Sequence, residues 1–102
     1  MKKIIDGKIY NTDTATRLAF WCNDLPDNDF GSLDETLFQT KKGQHFLYGN
    51  GGALTWCAQR SGNGNYGGKV IKLLSPSEAL EWCESREIRA DLVATLFNLI
   101  DG

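Results

Sequence analysis

The chain has 102 residues, of which 41% are hydrophobic and 11% aromatic. That fits one domain, residues 1–102, with a core of its own, and argues against disorder or any need for a metal or disulfide to fold. A net charge of −2 and a pI near 5.3 argue against non-specific binding to nucleic acid or to an anionic membrane, both of which favour clustered basic residues.

Three cysteines, Cys22, Cys57 and Cys83, lie far apart, and His45 is the single histidine. An odd count without a Cys-x-x-Cys pair predicts reduced, buried thiols rather than a disulfide framework. Met1 to Asp6 lacks the apolar run of a signal peptide, and no stretch approaches membrane-spanning length. The expectation is a cytoplasmic protein, without membrane contact.

In chain order, Lys2–Ile5 and Lys8–Tyr10 flank Asp6-Gly7, a strong turn signal that predicts an N-terminal hairpin, with a single strand kinked at the glycine as the alternative. Asn11, Thr12 and Asp13 offer helix caps, and Ala15, Leu18, Ala19 and Cys22 follow at i, i+3, i+4, i+7. That spacing predicts a first helix, ended by the polar run around Pro26. Asn23 to Ser32 reads as a loop. Leu33–Thr40 and Gln44–Gly49 read as strands joined through Lys41-Lys42-Gly43, where glycine supplies the positive φ of a hairpin.

Ala53–Arg60 reads as a short helix, glycine-rich Ser61–Gly68 as a flexible loop, and Lys69–Leu74 as a strand. Ser75-Pro76-Ser77-Glu78 is a capping box with proline at the first helical position. A further helix, or a bent continuation, is predicted from about Glu87 to Ile100. The resulting fold class is α+β: a small antiparallel sheet (N-terminal ββ, central hairpin, one further strand) with about four helices packed on it.

No catalytic motif stands out. Gly49-Asn50-Gly51-Gly52-Ala53 lies where a phosphate could meet a helix N-terminus. Leu54 occupies the third glycine position of a dinucleotide fingerprint, however, and no Gly-Lys-Ser/Thr follows, so a tight turn explains the glycines better. A Cys–His nucleophile pair would have to use His45, read here on a solvent-facing hairpin strand. Each cysteine follows a tryptophan, and the three Trp-Cys pairs are read as positions on similar amphipathic helices, as buried apolar sites. Close ligand pairs for zinc are lacking, and no cofactor is implied.

Asp24, Asp27, Asp29, Asp34 and Glu35 fall within twelve residues that contain no basic residue. Their spacing is not that of a calcium loop. They are either a solvated loop or an acidic surface that meets a basic partner, and they are the candidate partner-binding residues. Lys41 and Lys42, with Arg60, Lys69 and Lys72 beside Phe46, Tyr48 and Tyr66, are the alternative: a basic patch for nucleic acid. In the last helix, Ile88, Leu92, Val93, Leu96, Phe97, Leu99 and Ile100 cover an arc of about 180° at 100° per residue. That arc is either buried on two sides or partly spare for a homodimer.

Two segments carry a resemblance. Lys2-Lys3-Ile4-Ile5-Asp6-Gly7-Lys8-Ile9-Tyr10-Asn11-Thr12-Asp13-Thr14-Ala15-Thr16 is one. Leu37-Phe38-Gln39-Thr40-Lys41-Lys42-Gly43 with Phe46-Leu47-Tyr48-Gly49 and Gly51-Gly52-Ala53 is the other. They resemble small accessory proteins of bacterial plasmids, integrative elements and phages, from the N-terminus through the Ser75 helix; the last helix diverges. The resemblance implies a context that includes anti-CRISPR proteins, and it brings no functional-residue motif. The expected function is a non-enzymatic inhibitor of a host defence complex, a CRISPR effector above all, that blocks nucleic-acid binding sterically. The alternative is a nucleic-acid-binding accessory protein of a mobile element.

Overall fold

The computed structural model describes residues 1–100 and 102. Strands β1 (Lys2–Ile5) and β2 (Lys8–Asn11) form the predicted N-terminal hairpin. Asp6 and Gly7 both take positive φ, 51° and 75°, as a two-residue type I′ turn requires. The Thr12 amide donates to the Met1 carbonyl at 2.9 Å and closes the open end.

The predicted first helix is instead strand β3 (Thr16–Cys22). Asn11 does cap, but it caps a turn: its side chain accepts from the Asp13 amide at 2.9 Å. The false helical period has a cause. A bulge between Arg17 and Ala19 interrupts the alternation, so Leu18 and Ala19 both reach the core under the helices together with Trp21. Consecutive apolar residues on one face imitate a helical stripe.

Strands β4 (Leu33–Gln39) and β5 (His45–Gly51) form the predicted central hairpin, with Leu37 opposite Leu47 and Phe38 opposite Phe46. The predicted helix over 53–60 does not form; those residues make turns that lead into β6 (Gln59–Ser61). The segment read as a flexible loop holds a two-stranded hairpin of β6 and β7 (Gly64–Tyr66). Strand β8 (Gly68–Leu74) returns antiparallel to β5, giving a four-stranded sheet in the order β3-β4-β5-β8 beside two separate two-stranded hairpins.

Helix α1 (Pro76–Ser85) starts on the predicted capping box: the Glu78 amide donates to the Ser75 hydroxyl at 3.1 Å and the Ser75 amide to the Glu78 carboxylate at 2.8 Å. Glu87, in the left-handed region at φ 54°, separates α1 from α2 (Ala90–Phe97), which ends at left-handed Asn98. Among the described residues two helices therefore stand where about four were expected. The shorter α2 also revises the apolar arc, because Leu99 and Ile100 lie past the helix end, while Val93 is core.

The sheet buries both faces. Toward the helices, Ala19, Leu37 and Leu47 pack with Ala79, Trp82, Cys83 and Val93. On the other face, Phe38, Phe46 and Ile71 pack under Tyr10 of the N-terminal hairpin, with Phe38 and Phe46 stacked at 5.2 Å. Among the described residues no helix is long and apolar enough to cross a membrane.

Candidate functional site

The loop between β3 and β4 carries most of the acidic residues singled out in the sequence, and it is anchored at its base. Asn23 donates to the Gly31 carbonyl at 2.8 Å and accepts from the Leu33 amide at 3.1 Å. Asp24, at φ 60°, accepts from the Cys22 thiol. Asp29 accepts from the Gly31 amide at 2.7 Å, an Asx turn within the loop. Asp24, Asp27 and Asp29 are all exposed.

This loop forms one wall of a cleft. Asp27, Asp29 and Asp34 line it with Phe30, Gly51, Gly52, Ala53 and Tyr66, and Lys69 stands on its rim. The two sequence features read separately, the acidic run and the glycine turn, thus meet. Gly52 is required there: a Cβ would collide with the Phe30 backbone carbonyl. No helix follows the glycines, so the helix-terminus phosphate site has no structural basis. Partial burial raises the Asp34 carboxyl above the ordinary range, and the nearby Asp27 charge raises it further, against the pull of Lys69.

The cleft is framed by apolar side chains left in water. Phe30 is 69% exposed, Leu54 79% and Tyr66 59%. The Leu54 amide donates to the Phe30 carbonyl at 2.9 Å, which ties these two residues together through the backbone. Exposed aromatics inside a charged rim have the composition of a protein-binding surface.

Glu35 does not belong to this surface. It points under the helices and is 2% exposed. Its carboxylate accepts from Trp56 Nε1 at 2.7 Å, Trp82 Nε1 at 2.8 Å and Arg86 Nε at 2.7 Å. Burial alone would raise its carboxyl, but the hydrogen bonds from Arg86, Trp82 and Trp56 outweigh it and hold the group below the ordinary range. The Arg86 guanidinium lies 3.7 Å over the Trp21 ring. The three Trp-Cys pairs thus sit on a strand, a turn and a helix, and all three tryptophans converge on one ion pair. They are not the similar helices the sequence suggested, and nothing in the acidic run by itself marked Glu35 as different.

The thiols and the imidazole have no shared chemistry. All three cysteines are free, with Cys57 and Cys83 buried. Burial first, and then the Glu35 and Asp34 charges, push the Cys57 thiol up to about 11, which disfavours a nucleophilic thiolate. His45, read as solvent-facing, is buried against Phe97 with ring centroids 5.6 Å apart, and burial lowers its pKa. Among the described residues no three His, Cys, Asp or Glu side chains group to hold a metal ion.

The basic patch read from sequence does not assemble. Lys69 stands at the acidic cleft, Lys72 beside Glu35 and Glu78 near α1, and Phe46 is fully buried. Lys41 and Lys42 instead join Lys8 of the N-terminal hairpin at the opposite end of the β4–β5 hairpin. Comparison with family models, with curated proteins and with solved structures finds no match for this chain.

Proposed function

We propose that this chain is a non-enzymatic inhibitor that docks its acidic cleft on a basic, nucleic-acid-handling surface of a host defence complex, a CRISPR effector above all. One observation carries the reading. Asp27, Asp29 and Asp34 line one cleft with exposed Phe30 and Tyr66, and exposed Asp24 and Leu54 lie on the segments that adjoin it. Such a face suits a partner rich in arginine and lysine: the carboxylates guide the encounter, and the aromatics offer faces on which guanidinium groups stack. The anchored loop also limits the ordering cost of binding. The choice of partner rests on the likeness of the N-terminal and hairpin segments to mobile-element proteins.

The test is inhibition. Expressed in a bacterium whose CRISPR system targets a phage, the protein should restore plaque formation. The purified protein should prevent target DNA from binding the effector. Changing Asp24, Asp27 and Asp29 together to asparagine should slow association about tenfold or more, since charge complementarity acts mainly on the on-rate. Full inhibition by that variant at physiological salt would exclude the acidic cleft as the docking face.

A further inference from the structure

We infer that the groove between the N-terminal hairpin and the β4–β5 turn binds the phosphodiester backbone of a nucleic acid. It lies at the other end of the molecule from the acidic cleft and uses none of its residues. The groove has a volume of about 390 Å³, and its lining includes Lys8, Lys41, Lys42, Asn11, Thr40 and Gln44. Among the described residues no carboxylate lines it. Among the described residues the ion pairs are Arg86–Glu35 and Arg89–Asp91, so none of these lysines is paired.

The hydrogen-bond inventory points the same way. Three side-chain oxygens of the groove already accept internally: Asn11 Oδ1 takes the Asp13 amide, Thr40 Oγ1 takes the Gln44 amide, and Gln44 Oε1 takes the Tyr10 hydroxyl. What these side chains still offer are donors, namely Asn11 Nδ2, the Thr40 hydroxyl hydrogen and Gln44 Nε2. Three ammonium groups and three spare donors around an open groove make a site for an anion.

The chemistry favours phosphate over carboxylate. A planar carboxylate is best met by the two-pronged fork of arginine, and no arginine lines the groove. Separate, mobile ammonium groups suit the tetrahedral oxygens of successive phosphates. Positive charge also continues beyond the groove: residues 1–22 and 38–46 hold six lysines and arginines against two aspartates. No aromatic side chain lines the groove, so bases have nothing to stack on and binding should be indifferent to sequence.

The overall acidity is no obstacle. Asp34 and Lys41 are separated by the length of β4, about 20 Å at the rise of a strand. That is more than two Debye lengths at physiological salt, where the screening length is about 8 Å.

Fluorescence anisotropy with labelled single-stranded DNA, single-stranded RNA and duplex DNA of about 16 nucleotides tests this. Affinity should be similar across base sequences and should fall steeply between about 50 and 200 mM salt. Changing Lys8, Lys41 and Lys42 together to glutamine should weaken binding at least tenfold. It should also flatten the slope of log K against log salt by about 2 to 3, the loss of three phosphate contacts. Lys69→Gln, which removes a lysine at the other end, should bind as the parent does. Lys41→Glu alone, at an exposed turn tip, should weaken binding as well and serves if the triple variant folds poorly. Absence of oligonucleotide binding at low salt, equal binding by the lysine variants, or capture of an acidic peptide or anionic vesicles in place of oligonucleotides would overturn the inference.

Discussion

Glu35 and Arg86 stand 51 residues apart in sequence and meet at 2.7 Å, one on a strand of the sheet and the other at the end of α1. Trp56 and Trp82 donate to the same carboxylate, and Trp21 stacks under the guanidinium. This clasp ties β3, β4, the turns before β6, and α1 into one unit. A charged group is tolerated here because three donors meet the carboxylate.

Breaking one side of the clasp should be costly. Arg86→Met leaves the buried carboxylate with its two indole donors and should destabilise by about 3 kcal/mol. Glu35→Leu strands two indole N–H groups and the guanidinium and should cost a similar amount. The double variant should cost clearly less than the sum, because the lone buried charge is gone. Urea melts of the four proteins measure the coupling. Additive losses would show that the pair is not a unit.

The clasp also sets an acid limit. The Glu35 carboxyl is held below its ordinary value in the folded state. Its contribution is therefore fully present above the unfolded pKa, about 4.3, and is lost as pH falls through the lower folded value. Melting temperature should drop below about pH 4.3, and Glu35→Gln should flatten that drop at the expense of stability at neutral pH.

His45 sets a second limit at milder pH. Its Nδ1 is buried without a hydrogen-bond partner among the described residues, and burial lowers its pKa. A depressed folded pKa means that stability is present above the unfolded value, about 6.5, and declines as pH falls below it. His45→Phe keeps a ring against Phe97 and removes the titration. Thermal melts from pH 7.5 to pH 5.5 (about one unit either side of the ordinary histidine value) should decline for the parent and stay nearly level for the variant. Equal slopes would assign the pH dependence to other groups.

Much of this fold was legible because local chemistry and tertiary context agree. Asp6-Gly7, Lys41-Lys42-Gly43 and the Ser75 capping box each encode a turn or a cap, and each forms. Strand β3 was not legible, because its bulge places Leu18 beside Ala19 on one face and copies a helical period. Residues 53–58 misled for another reason. Their amphipathic pattern is real, but it is satisfied by lying across the sheet, where a Gly49 Cβ would come within 2.6 Å of Cys57 Sγ. The cleft joins residues far apart in sequence, which no local pattern announces. Glu35 did leave a trace: it alternates with Leu33 and Leu37, so a strand that buries the leucines must bury it too.

The thiols now separate into two groups. Cys57 and Cys83 are buried with raised pKa values, whereas Cys22 is partly exposed and donates to Asp24. Titration of native protein at neutral pH should show one thiol reacting ahead of two slow ones, and all three should react once urea unfolds the chain. A Cys22→Ser variant should lose the faster phase. Rapid reaction of two or more thiols in the folded protein would mean that the sheet–helix layer opens readily.

The C-terminal segment supplies the last prediction. Val93 is 7% exposed in the core beneath α1, and Phe97 stacks on His45, so this part of the apolar arc is occupied within the monomer. Val93→Ser should therefore destabilise by about 2–4 kcal/mol, combining lost burial with an added hydroxyl. Phe97→Ser should also lower the melting temperature by removing the stacked ring. The apolar groups left in water are Leu99 and Ile100, 47% and 93% exposed, just past the left-handed Asn98. If the chain self-associates at this end, those two residues mediate it. Leu99→Ser with Ile100→Ser should then yield a monomer of parental melting temperature, whereas Val93→Ser should shift stability without changing the subunit count. Light scattering and thermal melts of both variants read this directly. A destabilised Leu99/Ile100 variant with an unperturbed Val93→Ser would place the core contacts of this segment the other way round.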